Sequence, residues 1–423
     1  MRKTFRILKQ IILSCIVLLA ITTSVWQPES SAERIRAYSR PFEFDFFGWT
    51  VNAVWQKISA ASFGPIRHLS HLQQRKIVKD YFEYLSDSQD LKKSLETLYA
   101  DPDFSLENSE SLVLEKKFQE QEEHLEKLAF LAEAVIQDQV SQTLDDMGLI
   151  TFNQPLPPVL YHVTDLPKNL IISPRNRIHQ EKSISLVTNI SPTEEINLES
   201  NVEENTGYSA LVVPVGGVGT YPTMVISTGN LLYLADTVAH EWTHNLLVFR
   251  PLGWNYSETA ALRTMNETAA SIAGEEISWS LIRRYYGDLL RPEENFSYKT
   301  YEVSFYPFQP VTQESFDFQK EMYKTRITVD ALLAKDEIDE AEKYMEARRR
   351  VFWENGYKIR KLNQAYFAFY GAYADEPFSA AGADPVGNDV RILRARSRNL
   401  LSFIQKISWM SSYNQLEHAV DSY

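Results

Sequence analysis

The stretch VAHEWTHNLL, at positions 238–247, places one glutamate between two histidines that are four residues apart. In an α-helix, positions four apart lie on one face, so His240 and His244 can bind one cation together. Glu241 is rotated by about a quarter turn from His240 and reaches the edge of such a site. This is the H-E-x-x-H spacing, in which two imidazoles bind zinc and the glutamate takes a proton from water at the metal.

The sequence around this motif separates a metal site from a helix that carries two histidines by chance. The run LLYLADTVAHEWTHNLLVF contains no Gly or Pro and is apolar around most of its circumference, which predicts a buried helix over 230–249. Buried histidines and a buried glutamate need a partner, because unpaired polar groups in a protein interior are costly. A metal ion is such a partner, and the sequence therefore predicts one Zn²⁺ here.

A third ligand is expected on a different element, because a catalytic zinc usually has three protein ligands and one position for water. The next helix, predicted over about 258–287, carries four glutamates: Glu258, Glu267, Glu275 and Glu276. Glu267 shares its face with three small residues, which allow another helix to approach closely, whereas the other glutamates are rotated away from that face. The small residues are Ala270, Ser271 and Gly274. Glu267 is therefore the predicted third ligand.

With these residues the chain resembles the gluzincin zinc metallopeptidases, the thermolysin-like and aminopeptidase N-like group. That family carries HExxH followed, on the next helix, by an Asn-Glu pair whose Glu binds zinc. Here HEWTH occupies 240–244 and NETAA occupies 266–270, and the spacing of 23 residues from His244 to Glu267 lies within the family's range. The metzincin pattern is excluded, because 250–255 reads RPLGWN and offers no third histidine. The resemblance covers about 60 of the 423 residues.

The resemblance also implies an edge strand beside the active site, which would bind the substrate backbone by strand addition. The run LVVPVGGVGTYPTMV at 211–225 lies in the matching place. Gly216 and Gly217 in this run permit close approach of another backbone. An ordinary hairpin turn fits the same residues, so both interpretations stay open.

One position departs from the family's pattern. Thermolysin-like enzymes carry an Asp three residues after the glutamate ligand, where it orients a zinc histidine, and this chain has Ala270 there. Asp236, one helical turn before His240, is the candidate acceptor for that role. An ordinary charge on the helix surface is an equally good interpretation of Asp236.

The resemblance further implies a downstream tyrosine or histidine that stabilises the oxyanion. The segment NQAYFAFYGAYADEP at 363–377 supplies Tyr366, Tyr370 and Tyr373. A stripe of tyrosines is more often part of a packed core. Among the three, Tyr373 is the candidate, because it lies close to Gly371 and just before an acidic turn.

The N-terminus has the pattern of a segment addressed to a membrane. An uncharged apolar run of 16 residues at 11–26 follows four basic residues, Arg2, Lys3, Arg6 and Lys9. The positive-inside tendency keeps the N-terminus cytoplasmic and exports the remainder. Residues 1–32 are either a signal anchor, which we favour, or a cleaved signal peptide, since SSA at 30–32 is a small-residue cleavage site. The protein is thus expected at the cell membrane with an extracytoplasmic catalytic domain, or secreted.

The remaining sequence divides into four parts, which predict an α+β fold that is mostly helical with a small mixed sheet. These are a juxtamembrane segment (33–65), an N-terminal helical region (66–150), a zincin-like catalytic core (151–290) and a C-terminal helical subdomain (291–423). The juxtamembrane run FEFDFFGWTVNAVW is dense in aromatic residues and lies either at the membrane interface or against the main domain.

Periodicity assigns elements within these parts. Short β-branched runs between 155 and 228, separated by Pro, Gly and Asn, predict the sheet. In the C-terminal subdomain the apolar spacing predicts helices over about 313–335 and 337–354, and one final basic helix over 388–410.

Composition narrows the class of protein further. Hydrophobic content of 44% and charged content of 23% are globular values. The formal net charge of -13 argues against a nucleic-acid surface, which needs clustered Lys and Arg. The single cysteine, Cys15, lies in the N-terminal run, so the rest of the chain has no internal disulfide, cysteine nucleophile or Cys-based zinc knuckle.

Together these patterns predict a zinc metallopeptidase that acts on a peptide or protein substrate. Zinc would lower the pKa of its water and polarise the scissile carbonyl, and Glu241 would pass the water's proton to the leaving amine. Two other functions stay open: a non-peptidase zinc hydrolase on the same scaffold, and a membrane-tethered binding or assembly protein with a structural zinc. Exopeptidase and endopeptidase action both fit the pattern, and no residue pattern indicates an oligomeric state.

Overall fold

The computed structural model describes residues 31–61, 69–99, 109–289, 316–373 and 385–421. Residues 1–30 of the predicted membrane segment (1–32) lie outside these ranges. Among the described residues, none of the helices combines the length and the apolar character needed to cross a membrane. The described chain is mostly helical with few short strands, which confirms the predicted α+β class.

Two long helices make up the N-terminal helical region and confirm the helices predicted there. The described part begins with α1 (Ser31–Ser39), a 3-10 turn (Arg40–Phe42) and α2 (Phe46–Ala61), and continues with α3 (His71–Tyr99) and α4 (Ser109–Asp146). α3 and α4 pack against each other through an apolar cluster that contains Tyr81, Leu85, Leu125 and Ala132. The aromatic juxtamembrane run is therefore largely part of a helix, α2.

Within the described residues, six strands form two small sheets rather than one. They are β1 (Tyr161–Val163), β2 (Lys168–Pro174), β3 (Lys182–Leu186), β4 (Tyr208–Val213), β5 (Gly217–Val218) and β6 (Thr223–Val225). The antiparallel sheet has the order β3-β2-β4. The mixed sheet has the order β1-β6-β5, with β1 parallel and β5 antiparallel to β6. The run at 211–225 is thus divided between both sheets, and only β5 lies at a sheet edge beside the predicted site.

A helix that the periodicity analysis did not identify, α5 (Pro192–Thr206), lies between β3 and β4. Its start carries a capping box, in which the Ser191 hydroxyl accepts from Glu194 N and the Glu194 carboxylate accepts from Ser191 N. Pro192 occupies the first turn, and Gly207 ends the helix with a positive φ of 72°. Ser-Pro-x-Glu followed by a closing Gly is a readable helix signal in the sequence.

Both faces of the antiparallel sheet are covered. Alternation along β2 sends Leu170 and Ile172 to one side, where they pack with Ile35 of α1 and with α5. Ile171 points to the opposite side and packs with Phe367 and its neighbours from the C-terminal helices. The predicted C-terminal subdomain therefore shares a core with the strands of the predicted catalytic core.

Three helices follow the mixed sheet: α6 (Leu231–Leu247), the short α7 (Pro251–Trp254) and α8 (Ala260–Tyr286). Side-chain caps begin the two long ones, because Asn230 accepts from Tyr233 N at 3.1 Å and Thr259 accepts from Leu262 N at 3.1 Å. α6 and α8 form the most extensively packed pair of elements in the described chain. They supply much of the largest apolar cluster, so the predicted helices over 230–249 and about 258–287 are confirmed.

The C-terminal helices are α9 (Phe318–Leu333), α10 (Ile338–Glu354), α11 (Gln364–Tyr370), α12 (Pro385–Ala395), α13 (Leu400–Ile407) and α14 (Tyr413–Asp421). The single final helix predicted over 388–410 is wrong. The chain leaves the helix after Ala395, and Asn399 begins a new one by accepting from Ser402 N at 2.9 Å. An Asn cap inside a basic, apolar pattern starts a second helix without breaking the apolar spacing.

Candidate metal centre

Three side chains with metal-binding atoms converge where α6 packs against α8. Nε2 of His240 lies 3.0 Å from Nε2 of His244. Oε2 of Glu267 lies 3.5 Å from Nε2 of His240 and 3.2 Å from Nε2 of His244. This carboxylate oxygen is buried and has no hydrogen-bond partner among the described residues. The three atoms therefore face a common point and can hold one metal ion.

The small face predicted on α8 explains how Glu267 reaches the histidines. An added Cβ at Gly274 would lie 2.7 Å from Oδ1 of Asp236 and 3.2 Å from Cβ of His240. Any larger residue at position 274 would push the two helices apart. The close approach of α8 to α6 at Gly274 thus holds the third carboxylate at the site.

Other residues of the motif fix α6 against the mixed sheet. Trp242 is buried and donates from Nε1 to the carbonyl of Pro157 at 2.8 Å. Asn245 donates from Nδ2 to Oγ1 of Thr223 on β6 at 3.2 Å. Because β5 pairs with β6, these two hydrogen bonds also position the edge strand beside the helix.

Glu241 extends toward that edge strand. An added Cβ at Gly217 would lie 2.5 Å from Oε1 of Glu241, and one at Gly219 would lie 3.3 Å from Oε2. Gly217 belongs to β5, whereas Gly216 immediately precedes the strand. The sequence-predicted glycine at 217 therefore contacts the predicted base, because the carboxylate occupies the space that a side chain would need.

Asn266, the first residue of the NET motif, orients one of the histidines. Its Oδ1 lies 2.8 Å from Nδ1 of His244, and its Nδ2 donates to the carbonyl of Leu252 at 3.2 Å. An amide oxygen accepts, so Nδ1 of His244 carries the proton and Nε2 keeps its lone pair toward the cluster. The amide orientation is fixed in turn by the Leu252 carbonyl, which can only accept.

A tyrosine from the segment between α7 and α8 bonds to the third carboxylate. The Tyr256 hydroxyl donates to Oε1 of Glu267 and accepts from Nε of Arg263 at 3.1 Å. Arg263 is 4% exposed and also donates to the carbonyl of Ala368. Burial raises the pKa of the Tyr256 phenol, so this hydroxyl stays protonated and acts as a donor.

The surroundings push the pKa values of the two site carboxyls apart. Burial raises the pKa of Glu241, an effect that the nearby histidines only partly oppose. Burial acts in the same direction on Glu267, but His244 and His240 outweigh it and hold the pKa of Glu267 well below its usual value. Burial disfavours protonated His240, yet its contact with Glu267 and the charges of Glu241 and Asp236 raise its pKa to about 9. The pKa of Glu241 is thus shifted in the direction that favours proton exchange, whereas the pKa of Glu267 is shifted in the direction that keeps its carboxylate charged.

The remaining sequence-predicted residues differ in their relation to this cluster. Asp236 lies one turn before His240, where its negative charge raises the pKa of that histidine. Tyr366 and Tyr370 are buried in the core beneath the antiparallel sheet and away from the cluster, as expected for a packed stripe. Tyr373 ends the 3-10 turn Gly371–Tyr373, and its side chain lies outside the described part of the structure.

A cavity of about 220 Å³ lies beside the cluster on the Tyr256 side. Its lining includes Tyr256, Arg263, Arg326 and Phe367. Arg326 donates to Asp330 at 2.8 Å and stacks over the ring of Phe367. The three candidate ligands do not line this cavity, which is connected to the cluster through Tyr256, the tyrosine that bonds to Glu267.

Sequence reasoning did not assign a role to Asn266, Tyr256 or Arg263. Asn266 belongs to the NET motif and directly precedes the third ligand, so its position in the sequence could have indicated a role at the site. Tyr256 and Arg263 carried no comparable signal, because the irregular segment that brings Tyr256 to Glu267 has no periodicity.

The chain matches no protein-family model, no curated protein sequence and no solved structure. The function proposed for it therefore depends on the geometry and chemistry of this cluster.

Proposed function

We propose that this protein is a zinc-dependent metallopeptidase of the gluzincin type. It would hydrolyse peptide bonds on the extracytoplasmic side of a membrane, held there by residues 1–32, or act as a secreted enzyme if that segment is removed. The observation that carries the proposal is the triangle formed by Nε2 of His240, Nε2 of His244 and Oε2 of Glu267.

The triangle has the dimensions that zinc requires. Ligand atoms about 2.0–2.1 Å from a tetrahedral zinc are separated from one another by about 3.3 Å. The separations here are 3.0, 3.2 and 3.5 Å. Two imidazoles and one carboxylate are also a donor set that zinc accepts, and three protein ligands leave one position for water, as in catalytic sites. A bound cation would also satisfy the otherwise unpaired Oε2 of Glu267.

Bound zinc supplies a Lewis acid, which polarises the scissile carbonyl and acidifies water. Glu241 takes the proton from the attacking water and delivers it to the leaving amine. In the metal-free site burial raises the pKa of Glu241 above its usual value, which is the direction that favours a group that must both accept and release a proton. Gly217 leaves room for the carboxylate at that position.

Tyr256 holds a proton at the other side of the cluster. Its hydroxyl donates to Oε1 of Glu267, which leaves Oε2 as the metal-facing oxygen. Arg263 donates to the same hydroxyl and so holds it in place. Small movement of this phenol would allow it to donate instead to the oxyanion of the substrate, a role that sequence reasoning assigned to Tyr373.

The edge strand β5 is the proposed site for the substrate backbone. β5 is last in the order β1-β6-β5 and pairs with β6 through Gly217 and Val218. Within the described residues its opposite edge has no strand partner. An extended peptide added there would pass next to the Glu241 carboxylate, because Gly217 of β5 lies directly against it.

The deciding experiment compares Glu241→Gln with the wild-type protein and with Glu258→Gln, an exposed glutamate before α8. Zinc content is measured by mass spectrometry, and turnover is measured with blocked and free-amine peptides. We expect Glu241→Gln to retain zinc and to lose at least about 100-fold in kcat. Glu258→Gln should behave as the wild type.

Each other result selects a different function. Unchanged peptide turnover in Glu241→Gln would make the mechanism wrong. A zinc-containing wild type that cleaves esters or other amides, but no peptide, would be a non-peptidase zinc hydrolase. A zinc-containing protein without any turnover would fit the binding or assembly function. Purified protein without affinity for zinc would exclude the metal site.

A further inference from the structure

Helix α2 exposes three large apolar side chains and buries its only charged one. Phe47, Val51 and Trp55 follow one another at intervals of one turn and are 81%, 52% and 69% exposed. The only charged residue of the helix is Lys57, whose side chain is 9% exposed and forms an ion pair with buried Glu133. Helices on a water-exposed surface normally have the opposite arrangement, with charges outward and aromatic residues inward.

The inward side of α2 is fixed by a dense set of polar contacts. The Lys57 amine also donates to Oε1 of Gln137 at 3.0 Å, and Ala53 is buried one turn earlier. Removing one partner of a buried ion pair is strongly destabilising, so α2 cannot rotate to bury its apolar face without a large loss of stability. The exposure of the apolar face is thus imposed by the fold.

We propose that the apolar face of α2, defined by Phe47, Val51 and Trp55, rests in the interfacial layer of a lipid bilayer. The predicted membrane run ends at position 26, and Phe46 follows only 20 residues later. Nine of those residues are coiled in α1, where the chain advances by about 1.5 Å per residue. The start of α2 is therefore tethered close to the point where the chain would leave the bilayer.

The side-chain chemistry of this face fits the lipid interface. Trp and Phe are the residues that favour the boundary between headgroups and acyl chains. Asn52 is the one exposed polar residue among the described side chains from Phe47 to Lys57, and it carries no charge that a bilayer would have to desolvate. Asp45 accepts from Gly48 N at 3.0 Å and marks the polar end of the helix. This inference does not depend on the metallopeptidase proposal.

The test uses the full chain in nanodiscs of phosphatidylcholine and phosphatidylglycerol. In a Cys15→Ser background, Val51→Cys carries an environment-sensitive fluorophore, and Glu123→Cys, at an exposed position of α4, is the matched control. We expect brominated acyl chains to quench the label at 51 and not the label at 123. Aqueous iodide should quench the label at 51 about threefold less than the control.

Four results would overturn the proposal. In the first, the label at 51 is as accessible to iodide as the control label at 123. In the second, the label at 51 is shielded from both iodide and brominated lipid, which would mean that protein covers this face. In the third, labels at 51 transfer energy to each other as the protein concentration in the lipid rises, which would identify a second copy as the occupant. If the purified chain lacks its N-terminal segment, the same labels are measured with added vesicles of the same lipids, and no response at 51 also overturns it.

Discussion

Glu133 and Glu267 are buried glutamates whose carboxylates contact histidine rings, yet only Glu133 is fully paired with protein donors. Glu133 on α4 receives the Lys57 amine, the backbone N of Val163 at 2.8 Å and Nδ1 of His162 at 3.1 Å. Glu267 on α8 receives the Tyr256 hydroxyl on one oxygen, while its other oxygen is buried beside the two histidines and has no hydrogen-bond partner among the described residues.

The difference separates a structural cluster from a binding site. A buried carboxylate with a cation and enough donors is satisfied, and it ties α2, α4 and β1 together. The Glu267 cluster instead has three electron-pair donors that face one point, and two of them are imidazole nitrogens 3.0 Å apart. Such an arrangement is satisfied only by protons or by a metal ion.

The largest expected effect comes from exchanging each glutamate for its amide. Glu267→Gln should weaken zinc binding by more than about 100-fold, beyond the range expected for a residue that only supports a ligand. Glu133→Gln leaves Lys57 buried without its counter-charge and should lower the free energy of unfolding by about 3 kcal/mol or more, with zinc affinity unchanged. Competition with a fluorescent chelator and urea unfolding measure both quantities. Loss of zinc binding in Glu133→Gln would contradict the distinction between the two clusters.

The pH dependence of zinc binding is the next largest effect. In the zinc-free protein His240, with its pKa raised to about 9, carries a proton at neutral pH that zinc must displace. Zinc affinity should therefore rise by up to about tenfold per pH unit until about pH 9. Competition with a fluorescent chelator, from neutral pH to about pH 9, measures this change in zinc affinity.

Stability of the zinc-free protein should change in the opposite direction. The folded pKa of His240 lies above the reference value of 6.5, so its contribution is fully present below pH 6.5 and is lost as pH rises through about 9. Urea unfolding of the chelated protein tests this. A zinc affinity that does not change between neutral pH and about pH 9 would contradict the raised pKa of His240.

The contrast between the clusters also shows what the sequence can predict. His240, His244 and Glu241 are related by helical periodicity, so their arrangement was predictable from one short motif. Glu267 was predictable because the small residues around it imply close helix packing, which Gly274 confirms. These inferences use only regular geometry within one helix.

Contacts that depend on irregular chain or on pairs of distant elements could not be predicted in this way. Tyr256 meets Glu267 only because a short turn of helix redirects the chain. Lys57 and Glu133 are 76 residues apart, and nothing in either local pattern indicates their pairing. The final helix was mispredicted for a related reason, since Asn399 caps a new helix within a continuous apolar pattern.

A smaller effect is expected from the residue that orients His244. Asn266→Ala removes the acceptor at Nδ1 and should weaken zinc binding by about 10- to 100-fold. Asn245→Ala is the matched control, because the Asn245 side chain on α6 donates to Thr220 and Thr223 and to none of the three ligand side chains. Chelator competition on both variants measures the difference. Equal affinities would show that His244 needs no support from Asn266.

The smallest expected effect tests the contact between the edge strand and Glu241. In Gly217→Ala the new Cβ would lie 2.5 Å from Oε1 of Glu241, so the carboxylate must move, and kcat should fall by about tenfold with zinc affinity retained. Gly219→Ala is the matched control, because its Cβ at 3.3 Å from Oε2 needs a shift of only a few tenths of an ångström. Peptide turnover and zinc content are measured for both. If Gly217→Ala lost zinc as well, Glu241 would be needed to hold the metal, and its separation from the three ligands would be wrong.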